Sequence, residues 1–171
     1  MDKDMDHKVA QLEAVLAQQL SEHDQLLELI QRKRQALRAA DHRLVADCCR
    51  QENARVQRIG ELEKQRLLLT GELTLLLIPG AAEPLRLGAL AQRLTEPARG
   101  RLLVLRQQLR QRMEQVRHDA GIAQRAAEAL ARHMQGLVQT LSGVMSGGAA
   151  YGRAGAPTRA ALALSTFNMT A

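Results

Sequence analysis

A long run of apolar residues at helical spacing, between residues 102 and 141, most constrains what this chain can fold into. Apolar side chains recur there at steps of three and four residues, at positions 102, 105, 109, 113, 116, 120, 123, 127, 130, 134, 137 and 141. This spacing places them on one stripe along an α-helix. A helix over residues 96–142 is roughly 70 Å long. It therefore needs other helices, or a second chain, packed along it.

The composition favours helices that meet along seams over a core filled with aromatic side chains. The chain has 171 residues, of which 46% are hydrophobic, yet it contains one Phe, one Tyr and no Trp. No segment alternates apolar and polar residues with a period of two, so we expect no sheet. The predicted fold class is all-α, an elongated antiparallel three-helix, coiled-coil-like bundle with a disordered C-terminal tail.

Proline, glycine and aspartate residues predict where the helices begin and end. Pro79 and Gly80 stop the second helix, and Asp41 is suited to cap its start. The sequence leaves open whether the first two helices are continuous. The predicted helices cover about residues 5–39, 41–77 and 96–142, with a connector over 79–95. Residues 1–142 then form a helical domain, and the Gly/Ala-rich residues 143–171 form a flexible tail.

The two cysteines are adjacent in the sequence, at Cys48 and Cys49. A disulfide between neighbours in a helix is strained, so free thiols in a reducing compartment are expected. The apolar spacing of the second helix predicts that Cys49 faces inward together with Val45 and Val56.

Motifs for catalysis, nucleotide binding and metal binding are absent from the sequence. It contains no GxxxxGK[ST], GxGxxG, GxSxG or HExxH pattern, and its five histidines are scattered with no CxxC or HxxxH pair. The interpretation is a binding protein that is not an enzyme, with no catalytic residues, no cofactor and no metal site.

Charge and hydropathy argue against nucleic acid and membrane partners. Most of the excess positive charge lies after residue 79, but no aromatic residues are interleaved there for base stacking. The longest apolar stretch, residues 67–78, is well short of the roughly 20 residues that span a bilayer. We therefore expect a cytoplasmic protein without stable membrane insertion.

The end of the long stripe is the first candidate binding surface. Two interpretations remain open for it: an intramolecular core, or a surface that contacts an amphipathic helix of another protein. This segment extends past the expected cover of the shorter helices, which favours partner contact. Its residues are Leu130, Met134, Leu137, Val138 and Leu141.

Tyr151 is the second candidate, because it is the only tyrosine and lies among glycine and alanine. A lone aromatic ring in a flexible segment is suited to anchor in a partner's pocket. Gly152 and Gly155 leave the neighbouring backbone free to adapt.

Several spaced motifs together resemble the FlgN-type family of flagellar type III export chaperones. Lys33-x-x-x-Leu37-x-x-x-Asp41 resembles the passage from its first to its second helix. Residues 59–69, with the pattern Ile-x-x-Leu-Glu-x-x-Arg-x-x-Leu, resemble its second-helix signature. Residues 137–143, followed by a Tyr-Gly-x-x-Gly segment at 151–155, resemble its helix end and tail.

The resemblance implies a chaperone that holds the C-terminal helices of hook–filament junction proteins. It would prevent their premature association and deliver them to the cytoplasmic, inner face of the flagellar export gate. Leu130 to Leu141 would then bind cargo, and Tyr151, Gly152 and Gly155 would dock to the gate. The alternatives are a self-associating structural coiled-coil protein, with a homodimer left open, and a basic helical nucleic-acid-binding protein.

Overall fold

The computed structural model describes the backbone of residues 2–147 and the side chains of residues 3–143. Every regular element in this part of the chain is a helix, which confirms the predicted all-α class. The elements are α1 (Asp2–Arg38), α2 (His42–Leu77), α3 (Leu87–Gln92) and α4 (Ala98–Gly147). The chain divides into two compact units, Met1–Leu130 and Ala131–Ala171.

In the first unit, α1 and α2 run antiparallel. Lys8, near the start of α1, pairs with Glu72, near the end of α2, at 2.6 Å. Farther along α1, Glu22 pairs with Arg55 of α2 at 3.0 Å. Residues later in α1 therefore pair with residues earlier in α2, as expected for antiparallel helices.

The portion of α4 in the first unit runs in the same direction as α1. Arg101 pairs with Glu13 at 3.0 Å, and Asp119 pairs with Arg34 at 3.7 Å. The three long helices consequently run up, down and up, which is the antiparallel order expected from their short connections.

A tight turn separates α1 from α2, so the two helices are not continuous. Ala40 has a positive φ of 53°, the Asp41 N–H donates to the Ala36 carbonyl at 3.0 Å, and the Ala40 N–H donates to Leu37 at 3.3 Å. This pattern is a Schellman helix end. Asp41 then accepts a hydrogen bond from the Leu44 N–H at 3.0 Å, which confirms its predicted role as the cap of α2.

Replacing Ala40 with glycine is expected to stabilise the first unit by about 0.5–1 kcal/mol. The left-handed conformation costs an L-residue about 1–2 kcal/mol, part of which glycine loses again through its more flexible unfolded chain. Urea denaturation followed by circular dichroism measures the change. Ala39→Gly is the matched control, because Ala39 lacks a positive φ, and it should be neutral or destabilising. An Ala40→Gly variant no more stable than the wild type would contradict this account.

The larger core cluster lies where all four helices meet. Leu12 and Leu16 of α1 pack there with Leu73 of α2, Leu90 of α3 and Leu102 of α4. The side chains of all five are fully buried. The six-residue α3 is too short to be stable alone, so these contacts hold it in place.

Thr74 ties the connector back to α2. Its buried hydroxyl donates to the Thr70 carbonyl at 2.7 Å and accepts from the Leu85 N–H at 2.9 Å. The hydroxyl thereby satisfies a backbone donor that would otherwise be costly to bury. The chain is thus held close to α2 before it enters α3.

The smaller core cluster lies nearer the α1–α2 turn. Leu26 and Ile30 of α1 pack there against Ala123 of α4, with Ile59 of α2 partly buried beside them. Ala123 is 1% exposed. Its small side chain lets α4 approach α1 closely.

The predicted inner face of α2 is wrong near its start. Cys48 is buried while Cys49 is exposed, and Val56 is 56% exposed. The seam with α1 is held here by ion pairs, in which Glu52 contacts Lys33 and Arg55 contacts Glu22. Successive residues in a helix point about 100° apart, so only one of the two cysteines can face α1. The charged residues in the seam make Cys48 the inward one, and the face predicted from apolar spacing is rotated by one residue.

The helix α4 extends to Gly147, past the predicted end at residue 142. A glycine inside a helix costs about 1 kcal/mol, which is insufficient by itself to end the helix at Gly143. The other observed bounds of the long helices lie within three residues of the predicted ones. The predicted flexible tail covered residues 143–171, and it is wrong for residues 143–147, which are helical; residues 148–171 lie outside the described residues.

Candidate functional site

Four of the five predicted cargo contacts are exposed apolar side chains on one face of α4. Met134 is 47% exposed, and Leu137, Val138 and Leu141 are more so, up to 63% at Leu141. Their spacing confines them to an arc of about 100° over roughly 10 Å of helix. We call these four residues the α4 stripe. An apolar face of this kind is suited to contact a second amphipathic helix.

Two uncharged glutamine amides lie beside the α4 stripe. Gln135 and Gln139 line a shallow depression together with Met134 and Val138. Thr140 donates its hydroxyl to the Gly136 carbonyl at 2.9 Å, so that group is turned toward its own helix. The stripe therefore offers apolar surface flanked by two glutamine amides.

Leu130, the fifth predicted contact, differs from the other four. It is half-buried and lies at the end of the first unit, whereas the α4 stripe belongs to the second. The structure therefore groups Met134, Leu137, Val138 and Leu141 as exposed residues and separates Leu130 from them by burial.

The predicted gate-docking residues Tyr151, Gly152 and Gly155 lie outside the described residues. Their role stays a prediction from the sequence.

A second candidate surface, which the sequence did not indicate, is a groove in the first unit. It has a volume of about 680 Å³ and lies over α1 between α2 and α4. We call it the α2–α4 groove. Its apolar lining is Leu16, Ile59, Leu87, Leu109 and Met113, and its polar lining is Gln19, His23, Glu63, Arg66, Arg106, Arg110, Glu114 and Arg117.

The α2 wall of this groove carries a charge pair that neutralises itself. Arg66 donates two hydrogen bonds to the Glu63 carboxylate, at 2.6 and 2.7 Å, and Gln19 donates a third at 3.1 Å. The bonds from Arg66 lower the pKa of Glu63 below its usual value; partial burial opposes this shift and Gln19 adds to it. The carboxylate is thus ionised at neutral pH and already paired.

His23 occupies the floor of the groove and is 7% exposed. Its Nδ1 lies 2.7 Å from the Gln19 carbonyl, to which the ring N–H donates. This contact orients the ring along its own helix. The histidine is therefore a packed polar residue of the floor.

The α4 wall of the groove carries arginines at helical spacing. Arg110 pairs with Glu114 at 3.1 Å, whereas Arg106 and Arg117 have no carboxylate partner within residues 3–143. Met113 lies between them in the sequence and is 44% exposed. The sequence signal that could have indicated this wall is the spacing of residues 106, 110, 113 and 117. These positions share one helical face, which combines three arginines with a methionine.

Several other arginines of α4 are engaged in ion pairs. Arg99 contacts Glu96, which lies just before α4, and Arg112 contacts Asp24 of α1. Such pairing leaves less of the positive charge available to phosphates.

The cysteines and histidines of the described chain offer no reactive or metal-binding cluster. Burial raises the pKa of the Cys48 thiol, which favours the protonated, unreactive form. Within the residues that the structure describes, no three His, Cys, Asp or Glu side chains gather as a metal site would need. No described helix is long and apolar enough to span a membrane.

The fold is that of an all-helical protein, and its last helix carries an exposed apolar face, the α4 stripe. A sequence model of the FlgN protein family matches residues 1–159. The chain therefore belongs to the FlgN family, which is a family of flagellar export chaperones and not of enzymes. No curated protein and no solved structure gave a significant match.

Proposed function

We propose that this protein is a cytoplasmic export chaperone for hook–filament junction proteins. It binds their C-terminal helices, prevents premature association and delivers them to the export gate. The observation that carries this proposal is the α4 stripe, whose four large apolar side chains are exposed. An unassembled filament component exposes a similar apolar helix, and covering one with the other removes both surfaces from water.

The binding step requires only mass action. Each bound chaperone lowers the concentration of free cargo helix, so self-association of the cargo is suppressed without covalent chemistry. The glutamine amides beside the stripe tolerate partners of either charge. Leu130 is proposed to extend the cargo contact, since it shares the helical spacing of the four exposed residues.

Co-purification with junction proteins tests the proposal directly. Intact cargo should be retained by the full chain, and cargo lacking its C-terminal helix should pass through. The same experiment with DNA in place of cargo tests the nucleic-acid alternative, which demands a steep dependence on salt. Equal retention of intact and truncated cargo would contradict the proposal.

Tyr151 is proposed to dock to the export gate, with Gly152 and Gly155 beside it. A short linear contact made by one aromatic ring is weak, because ordering the segment costs conformational entropy. Weak docking suits a cycle of delivery and release. The chaperone could then hold cargo through α4 while presenting the ring.

Tyr151→Ala is therefore expected to leave cargo affinity within twofold of the wild type and to weaken gate binding by about tenfold. Surface-immobilised gate protein, with cargo-loaded chaperone in solution, provides the measurement. Phe167→Ala is a matched control, since it removes the other aromatic ring of the same segment. Equal gate binding by Tyr151→Ala and the wild type would show that the tyrosine is incidental.

A further inference from the structure

We propose that the α2–α4 groove binds an amphipathic helix of a second protein partner, one that carries carboxylates three helical turns apart along one edge. This site is separate in its residues from the proposed cargo surface and goes beyond the proposed function. The occupant is defined by its chemistry: an apolar face that enters the groove and an acidic edge that lies along α4.

The dimensions of the groove favour a helix as its occupant. Arg106 and Arg117 mark its extent along α4, and eleven residues of helix correspond to about 16 Å. The floor is provided by Leu16 of α1 and the walls by Ile59 of α2 and Leu109 of α4. A trough of three turns between two helices is the setting in which an additional helix completes a bundle.

Charge complementarity indicates which helix would fit. The Glu63–Arg66 pair leaves the α2 wall without net charge, and the Arg110–Glu114 pair compensates itself on α4. Arg106 and Arg117 remain uncompensated, and eleven residues return a helix to nearly the same face. Two arginines thus lie on one side of the groove, with their backbone positions about 16 Å apart along α4.

Met113 defines the apolar contact between these two charges. It lies on the same helical face and is partly exposed, and its flexible thioether side chain can adapt to a partner's surface. The matching occupant has acidic residues at positions i and i+11, with leucine or isoleucine at the intervening core-facing positions.

A designed peptide tests this inference with the full chain. The probe is a fluorescein-labelled amphipathic helix of about 18 residues, with leucines on one face and glutamates at i and i+11. Fluorescence anisotropy should detect binding to the wild type. Arg106→Glu/Arg117→Glu should weaken it about tenfold, and a peptide with arginines in place of the two glutamates should recover the affinity for that variant. Arg106 and Arg117 are both exposed, so the double variant should retain its fold.

Three control variants locate the site. Arg125→Glu/Arg132→Glu makes the same change in net charge on the same helix and should alter binding less than twofold. Met113→Asp should abolish binding with unchanged helicity. Met134→Gln/Leu137→Gln should bind the peptide as the wild type does, so failure of the groove and failure of the proposed cargo surface are distinguishable.

The inference is overturned if both charge-reversal double variants weaken binding equally, since attraction would then be nonspecific. It is also overturned if Met113→Asp has no effect, if the stripe variant loses the peptide, or if the wild type shows no binding at about 1 mM.

Discussion

Replacing Met134 and Leu137 by glutamine is expected to weaken retention of the junction-protein C-terminal helix by about 10- to 100-fold, with helicity unchanged. Each large apolar side chain contributes about 1.5–3 kcal/mol when it passes from water to a buried contact. Both residues are about half exposed in the free chain, at 47% and 50%. The two together are then worth about 1.5–3 kcal/mol, which corresponds to a factor of about 10 to 100 in affinity.

Leu68→Gln/Leu75→Gln is the matched control for that variant. Leu68 and Leu75 are exposed leucines on α2, at 68% and 55%. Their replacement makes the chain equally more polar without touching α4. Cargo affinity within twofold of the wild type is expected for this control, measured by isothermal titration calorimetry with the isolated cargo segment.

Two results would overturn the cargo assignment. If the Met134/Leu137 variant unfolds, the α4 stripe is core and the prediction fails. If the variant keeps its helicity and still binds cargo with wild-type affinity, the cargo contact lies elsewhere. Self-association of the wild type that disappears in this variant would instead identify the stripe as a homodimer contact.

Leu90→Ala is expected to destabilise the first unit by about 2–5 kcal/mol, the range for truncating a fully buried leucine. Leu90 lies on α3, has no exposed surface and packs among residues from all three long helices. Removing its isobutyl group leaves a cavity that rigid helices fill poorly. Loss of α3 packing would then also release the connector.

Urea denaturation of the full chain, followed by circular dichroism, measures this change. Leu68→Ala is the control, because it deletes the same group from a leucine that is 68% exposed, and it should cost less than about 0.5 kcal/mol. Equal stability of the two variants would mean that α3 contributes no buried contact to the fold.

The helices and their positions along the chain follow closely from local sequence. The Ile78-Pro79-Gly80 stop and the Asp41 cap act on backbone hydrogen bonds within a few residues. They can therefore be predicted from the sequence without knowledge of the tertiary structure. The structure ends α2 at Leu77 and caps it at Asp41. Helical class is likewise a consequence of the three- and four-residue spacing.

The phase of α2 could not be deduced in the same way. Apolar spacing favoured Cys49 and Val56, yet the face toward α1 carries Glu52 and Arg55 paired with Lys33 and Glu22. A charged residue is predicted to be exposed to solvent unless its ion-pair partner on another helix is known. That partner is assigned by register between α1 and α2, which is a tertiary property.

The α2–α4 groove was missed for a related reason. Leu109 and Met113 belong to the same apolar run that is buried at Leu102 and Ala123. Periodicity treats all of these positions alike. Only the separation between neighbouring helices decides that Met113 stays partly exposed while Ala123 is covered.

The sequence by itself determined that this chain is all-helical, where its connector lies and that its last helix carries a continuous apolar stripe, because helices form through contacts three and four residues apart. The tertiary structure decided the turn at Ala40, the inward face of Cys48, the burial of Leu90 and the exposure of Met134 and Leu137. Burial depends on which helix lies beside a residue, and that neighbour is set by packing among segments distant in sequence.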